Sequence, residues 1–146
     1  MPYKDVEILF AEDNADDATL TIRGLKKSGL TNKIYHVKDG AEALDFIYCR
    51  GEYADRNLND HPKMILLDLK MPKVSGIEVL KKIKTDPDFN SIPVVILTSS
   101  KEDPDIKKCY ALGANSYIVK PVESDNFFNA LKELGYYWMI LNQSPV

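Results

Sequence analysis

Met64-Ile65-Leu66-Leu67-Asp68 stays apolar for four residues without alternation and then stops on an acid. A strand with one wet face alternates, whereas an unbroken apolar run of this length fits a strand covered on both faces of a parallel sheet. Pro93-Val94-Val95-Ile96-Leu97 repeats the pattern and stops on Thr98. Between the two, Gly76 to about Thr85 places Ile77, Leu80 and Ile83 at helical spacing, so the centre of the chain reads strand, helix, strand.

The same alternation extends in both directions. Upstream, Val6 to Ala11 reads as a strand. A helix from about Asp16 follows, with Ala18, Ile22 and Leu25 on one face and Gly29 as its stop. Lys33 to Val37 is a shorter strand, and Asp39-Gly40 opens a helix that turns Leu44, Ile47 and Tyr48 inward. Downstream, a helix covers roughly Pro104 to Leu112 and closes at Gly113. Tyr117-Ile118-Val119 is the last strand, and a final helix is predicted from about Glu123 to Leu141. Strands separated by helices demand right-handed crossovers. The expected fold is therefore α/β, a doubly wound five-stranded parallel sheet in the order 2-1-3-4-5. The awkward segment is Gly51 to Pro62, a polar connection longer than compact domains usually carry, and either functional or a solvated insertion.

Composition narrows the function classes. At 146 residues the chain is one domain's worth, with an expected core over about 6–141 and no second domain at either end. A net charge of −3 gives no basic footprint for direct nucleic-acid binding. The two cysteines, Cys49 and Cys109, fit neither a disulfide framework nor a zinc cluster and suggest reduced thiols in a cytoplasmic protein. The opening MPYKDVEILFAED lacks the form of a secretory signal, and no apolar stretch is long enough to span a membrane. His36 and His61 have no second nitrogen or sulfur ligand nearby in sequence and receive no functional role.

Ligands of open α/β sheets bind outside the carboxyl ends of the strands. The residues there are Glu12 and Asp13 after the first strand, Asp68 ending the third, Thr98 ending the fourth, and Lys120 followed by Pro121 after the fifth. Each alone has a bland explanation: a helix-start acid, a turn residue, a cap. Together they place three carboxylates, a hydroxyl and an ammonium on one rim. Two unit charges about 4 Å apart repel by roughly 4 kcal/mol at an effective dielectric near 20. A divalent cation relieves that repulsion, and an oxygen-only donor set suits Mg²⁺, which often shares its shell with a phosphoryl group. A carboxylate beside such an ion can attack phosphorus to give an aspartyl phosphate. Asp68, central on the rim, is the expected nucleophile, with Glu12 and Asp13 as metal partners. Lys120 and the Thr98 hydroxyl would neutralise charge on the transferring group.

These motifs resemble the receiver domains of two-component response regulators. They are Glu12-Asp13, Asp68-Leu69-Lys70-Met71-Pro72 with Gly76 following, Thr98-Ser99 and Lys120-Pro121, and the resemblance spans Val6 to about Leu134. It implies a flavodoxin-like receiver fold in which Asp68 accepts a phosphoryl group from a sensor histidine kinase. Mg²⁺ would be held by Asp13, Asp68 and the backbone carbonyl of Lys70, with Glu12 acting largely through a metal-bound water. Thr98 and Lys120 would bind the phosphoryl oxygens, Tyr117 would be the aromatic switch that follows Thr98, and the Lys120–Pro121 bond would be cis. Glu12 stands where an Asp is more usual. The long Gly51–Pro62 connection and the lack of an output domain resemble the single-domain regulators paired with bacterial phytochrome-type kinases.

The expected output is a conformational change passed to a downstream protein effector or phosphotransfer protein through the fourth helix, fifth strand and fifth helix. Along that last helix Phe127, Leu131, Leu134, Trp138 and Leu141 form a stripe expected to pack on the sheet as far as Leu134. Phe128 and the cluster Tyr136-Tyr137-Trp138 are the expected homodimer or partner surface, since aromatics are enriched at interfaces. Rival classes fare worse. A Mg²⁺-dependent aspartyl-phosphate phosphatase wants a second acid two residues after its nucleophile, where this chain has Lys70. A flavodoxin-type cofactor module wants a phosphate cradle where this chain has Glu-Asp-Asn-Ala-Asp-Asp. A mere docking scaffold would not need the acid set and Lys120 intact.

Overall fold

Burial on both faces is what the central apolar runs demand, and the sheet supplies it. The structure, a computed structural model, describes residues 5–27, 29, 33–99, 102–120 and 125–136. Its strands are β1 (Ile8–Ala11), β2 (Ile34–Val37), β3 (Met64–Asp68), β4 (Val94–Thr98) and β5 (Ser116–Val119). They alternate with α1 (Ala15–Lys27), α2 (Gly40–Ile47), α3 (Gly76–Lys84), α4 (Asp103–Ala111) and α5 (Asp125–Tyr136). The sheet is parallel throughout, in the order β2-β1-β3-β4-β5.

Alternate residues of each central strand feed two cores. Ile8, Phe10, Met64, Leu66, Val95 and Leu97 pack with Ala18 and Leu25 of α1 and Leu131 of α5. Leu9, Ala11, Ile65, Leu67, Val94 and Ile96 pack with α2, α3 and Cys109 of α4. Every residue of β1, β3 and β4 is buried, which is why their sequences do not alternate.

Helix boundaries follow their chemistry. The Asp39 carboxylate accepts from the Glu42 amide at 2.7 Å and starts α2, and Ser75 caps α3 in the same way. Gly113, at φ +104°, ends the α4 turn in the left-handed region. The end predicted for the last helix, beyond Tyr136, lies outside the described residues.

The Gly51–Pro62 connection is a built element. It opens with a short 3-10 helix, Gly51–Tyr53, and buries Tyr53 against Tyr35 and Phe46. The Tyr53 hydroxyl donates to Glu42 Oε1 at 2.8 Å and lies 3.0 Å from the Tyr35 hydroxyl. The Arg56 guanidinium sits 3.9 Å over the Phe46 ring, bonds the Phe46 carbonyl and donates to the Asp60 carbonyl at 2.6 Å. His61 meets the Phe89 ring edge-on. Polar composition masks these anchors.

Candidate functional site

The carboxyl ends of the strands bring the expected residues to one rim. Asp68 is the last residue of β3 and Thr98 the last of β4, while Glu12 and Lys120 follow β1 and β5 directly. Glu12 and Thr98 are each 1% exposed and Asp68 6%, whereas Asp13 is exposed. One carboxylate oxygen from each of Glu12, Asp13 and Asp68 lies within 4.8 Å of the others. This acidic cluster can hold a divalent metal: its donors are all oxygen, and the exposed Asp13 leaves a side open for water and substrate.

Lys120 faces the cluster from β5. Its Nζ lies 2.5 Å from Glu12 Oε1, 2.9 Å from Asp17 Oδ2 and 3.9 Å from Asp68 Oδ2. The Asp17 contact was not legible in the sequence. Asp17 looks like one more helix-start acid beside Asp16, and its partner is 103 residues away.

Backbone and second partners hold each group in place. The Glu12 amide donates to the Val37 carbonyl at 3.0 Å, and His36 Nε2 lies 2.7 Å from the Glu12 carbonyl oxygen, so β2 fixes the peptide that carries the acid. Asn14 caps α1, its Oδ1 accepting from the Asp17 amide at 2.9 Å. The Lys120 amide donates to the Thr98 carbonyl at 2.8 Å, tying the two phosphoryl-facing candidates together.

The β3–α3 loop is pressed against the rim. The Gly76 amide donates to the Leu69 carbonyl at 2.8 Å. Lys73, at φ +66°, pairs with the buried Asp39 at 3.6 Å. A Cβ on Gly40 would lie 1.9 Å from the Val74 carbonyl oxygen, so glycine there lets α2 approach the loop. Lys70 and Met71 of this loop line, with Asp13, Pro72, Ile77 and Asp105, a cleft of about 510 Å³ that opens beside the acids.

Electrostatics reflect the crowding. Burial, then the hydrogen bond and charge of Glu12, push the Asp68 carboxyl up to about 8, against the opposing pull of Lys120. Burial alone would lower Lys120, but its bonds to Glu12 and Asp17 raise it. The ammonium stays charged, and Asp68 still holds its proton more tightly than an exposed carboxyl does.

The remaining candidates scatter. Tyr117 is half-buried in β5 and packs against the core on the α2, α3 and α4 side. The Phe128 ring packs on α1, 3.1 Å from where a Cβ on Gly24 would stand. Tyr136 is 48% exposed. Pro121, with the bond expected to be cis, and Tyr137 and Trp138 lie outside the described residues.

Comparison with known proteins agrees with the fold. A family model for the response regulator receiver domain matches residues 8–132. The chain is 40% identical over 138 residues to the probable methanogenesis regulatory protein FilR2 of Methanothrix harundinacea (strain 6Ac), spanning 94% of this chain and 86% of that one. It is 36% identical over 132 residues to response regulator Rcp1 of Synechocystis sp. (strain ATCC 27184 / PCC 6803 / Kazusa), spanning 90% and 88%. The crystal structure of the Mn²⁺-bound form of Rcp1 superposes with a TM-score of 0.84 at 34% identity, covering 95% of this chain and 98% of that one. That of the phosphorylated cyanobacterial phytochrome response regulator RcpA gives 0.84 at 36% identity, covering 97% and 99%. The bacteriophytochrome response regulator RtBRR gives 0.78 at 46% identity, covering 94% and 82%.

Proposed function

The chain belongs to the response regulator receiver family, whose role is phosphoacceptor signalling with histidine kinases and downstream effectors, and on that premise we propose that Asp68 is its phosphoacceptor. The observation that carries the assignment is the convergence of Glu12, Asp13 and Asp68 within 4.8 Å of one another, with Lys120 3.9 Å from Asp68.

In the transfer an Asp68 oxygen attacks the phosphorus of a phosphohistidine. The new P–O bond forms as the P–N bond breaks, and the imidazole leaves with the electron pair. Mg²⁺ would be held by Asp13, Asp68 and the Lys70 carbonyl, with Glu12 acting largely through a metal-bound water, and would supply positive charge against the phosphoryl oxygens. That the similar protein Rcp1 has a Mn²⁺-bound form supports the reading of a divalent ion. Lys120 supplies a second positive charge, and the Thr98 hydroxyl donates to a phosphoryl oxygen.

The product is a switch and not a turnover enzyme. Lys70, two residues beyond Asp68, offers no acid–base carboxylate for rapid hydrolysis. When Thr98 moves toward the new phosphoryl group, Tyr117 turns into the space behind it, and the phosphoryl group favours that packing over the resting one. The remodelled face, α4, β5 and α5, contacts a protein effector or a phosphotransfer protein. A homodimer or partner surface would use Phe128, half-buried against α1, and the exposed Tyr136; Tyr137 and Trp138 of the same expected surface lie outside the described residues. The receiver domain would act in the cytoplasm. Among the described residues no helix is long and apolar enough to cross a membrane.

The test is phosphotransfer from a radiolabelled bacteriophytochrome-type histidine kinase, with and without chelator. Label should pass to the chain only when Mg²⁺ is present. Transfer that persists undiminished in chelator removes the metal from the mechanism. Light scattering with and without a phosphoryl mimic tests the homodimer, which a strict monomer in both states excludes.

A further inference from the structure

Lys120 is bonded to more than the cluster it serves. Its side chain is 11% exposed, and its ammonium meets Glu12 and Asp17 at 2.5 and 2.9 Å while standing 3.9 Å from Asp68, beyond hydrogen-bond reach. Glu12 belongs to the acid cluster; Asp17 does not. Asp17 sits in the first turn of α1, where the Asn14 side chain already satisfies its amide. Its carboxylate is thus not needed to start the helix and is spent on Lys120.

We infer that Asp17 is a positioning residue that holds Lys120 on the α1 side of the rim in the resting protein and sets how readily the ammonium is released to the phosphoryl group on Asp68. The inference rests on Asp68 being the phosphoacceptor. A dianionic phosphoryl group on Asp68 draws the ammonium toward it. Glu12 borders both positions of the lysine, so the bond that must lengthen is the one to Asp17. The Asp17 side chain is 26% exposed, so water can replace the departing ammonium there. A fully buried partner left unpaired would carry a far larger penalty and would trap the lysine. Asp17 is therefore a reversible restraint that opposes the switch without preventing it.

Beryllofluoride, a phosphoryl mimic, tests this on the whole chain at saturating Mg²⁺, with binding followed by fluorine NMR. Asp17→Asn removes the competitor and should tighten beryllofluoride binding by about three- to tenfold. Asp16→Asn removes the same charge from the adjacent exposed position and should change it less than about twofold. In a Lys120→Met background Asp17→Asn should have no effect, because there is no ammonium to hold. The inference is overturned if Asp17→Asn matches Asp16→Asn, if it weakens binding, or if its effect survives in Lys120→Met. Asp17→Ser serves the same comparison should the Asn variant fold poorly. If the unaltered chain takes up no beryllofluoride at all, the phosphoacceptor assignment fails first.

Discussion

A Cβ on Gly76 would lie 2.1 Å from the carbonyl oxygen of Asp68 and 2.7 Å from the Cα of Leu69. The first residue of α3 therefore rests directly on the backbone that carries the central carboxylate, and only glycine permits that approach. Gly76→Ala must push the helix or the β3 end aside. The expected destabilisation is about 1–3 kcal/mol or more, read from urea unfolding. Phosphorylation should fall further than stability does, because the displaced atoms belong to the site. Normal phosphorylation in a folded Gly76→Ala protein contradicts this.

Because Asp68 titrates near 8 in the folded metal-free protein and near 3.8 when unfolded, the native state binds its proton more tightly. The stability associated with that proton is intact below about pH 4 and is lost as pH rises toward 8. In chelator, the melting temperature should fall across that window. Asp68→Asn should flatten the fall and melt several degrees higher than the unaltered chain at pH 8. Saturating Mg²⁺ should reverse the loss in the unaltered chain, since a cation that binds only the native state stabilises it. A thermal-shift series showing the same pH slope in both proteins contradicts the burial and Glu12 effects on Asp68.

Tyr53 tests whether the Gly51–Pro62 segment is integral. Its ring is 1% exposed and its hydroxyl reaches both Tyr35 and Glu42. Tyr53→Phe should lose about 1–2 kcal/mol, and Tyr53→Ala about 3–5 kcal/mol. Equilibrium denaturation measures both, and values near zero would return the segment to a solvated insertion.

Most of the fold was legible because burial on both sheet faces writes unbroken apolar runs into β1, β3 and β4, and Asp39, Gly29 and Gly113 punctuate them. The rim was legible because strand ends converge in this topology wherever they fall in the sequence. Asp17 was not, since nothing local separates it from Asp16 and its meaning depends on Lys120. Tyr53 and Arg56 were hidden for a related reason. One buried ring and one guanidinium stacked on Phe46 anchor a segment whose composition is otherwise polar, and neither leaves a periodic signal. His36, which reaches the Glu12 carbonyl, received no role because no second nitrogen or sulfur ligand stands near it in the sequence, and a backbone partner leaves no sequence signal.

Lys120→Ala separates metal binding from switching. The ammonium competes with a cation for Glu12, so its removal should leave Mg²⁺ affinity equal or tighter, as read by calorimetry. The response to beryllofluoride should shrink, with backbone amide shifts in β5 and α4 reduced or absent. A variant that loses Mg²⁺ binding and keeps the full response would reverse the roles given to Lys120 and the acids.

The most direct measurement is intact-protein mass spectrometry after incubation with acetyl phosphate and Mg²⁺, comparing the unaltered chain with Asp68→Asn. The account predicts one phosphoryl adduct, labile to hydroxylamine, on the unaltered chain and none on a folded Asp68→Asn protein. An equal adduct on both, or one stable to hydroxylamine, would contradict it.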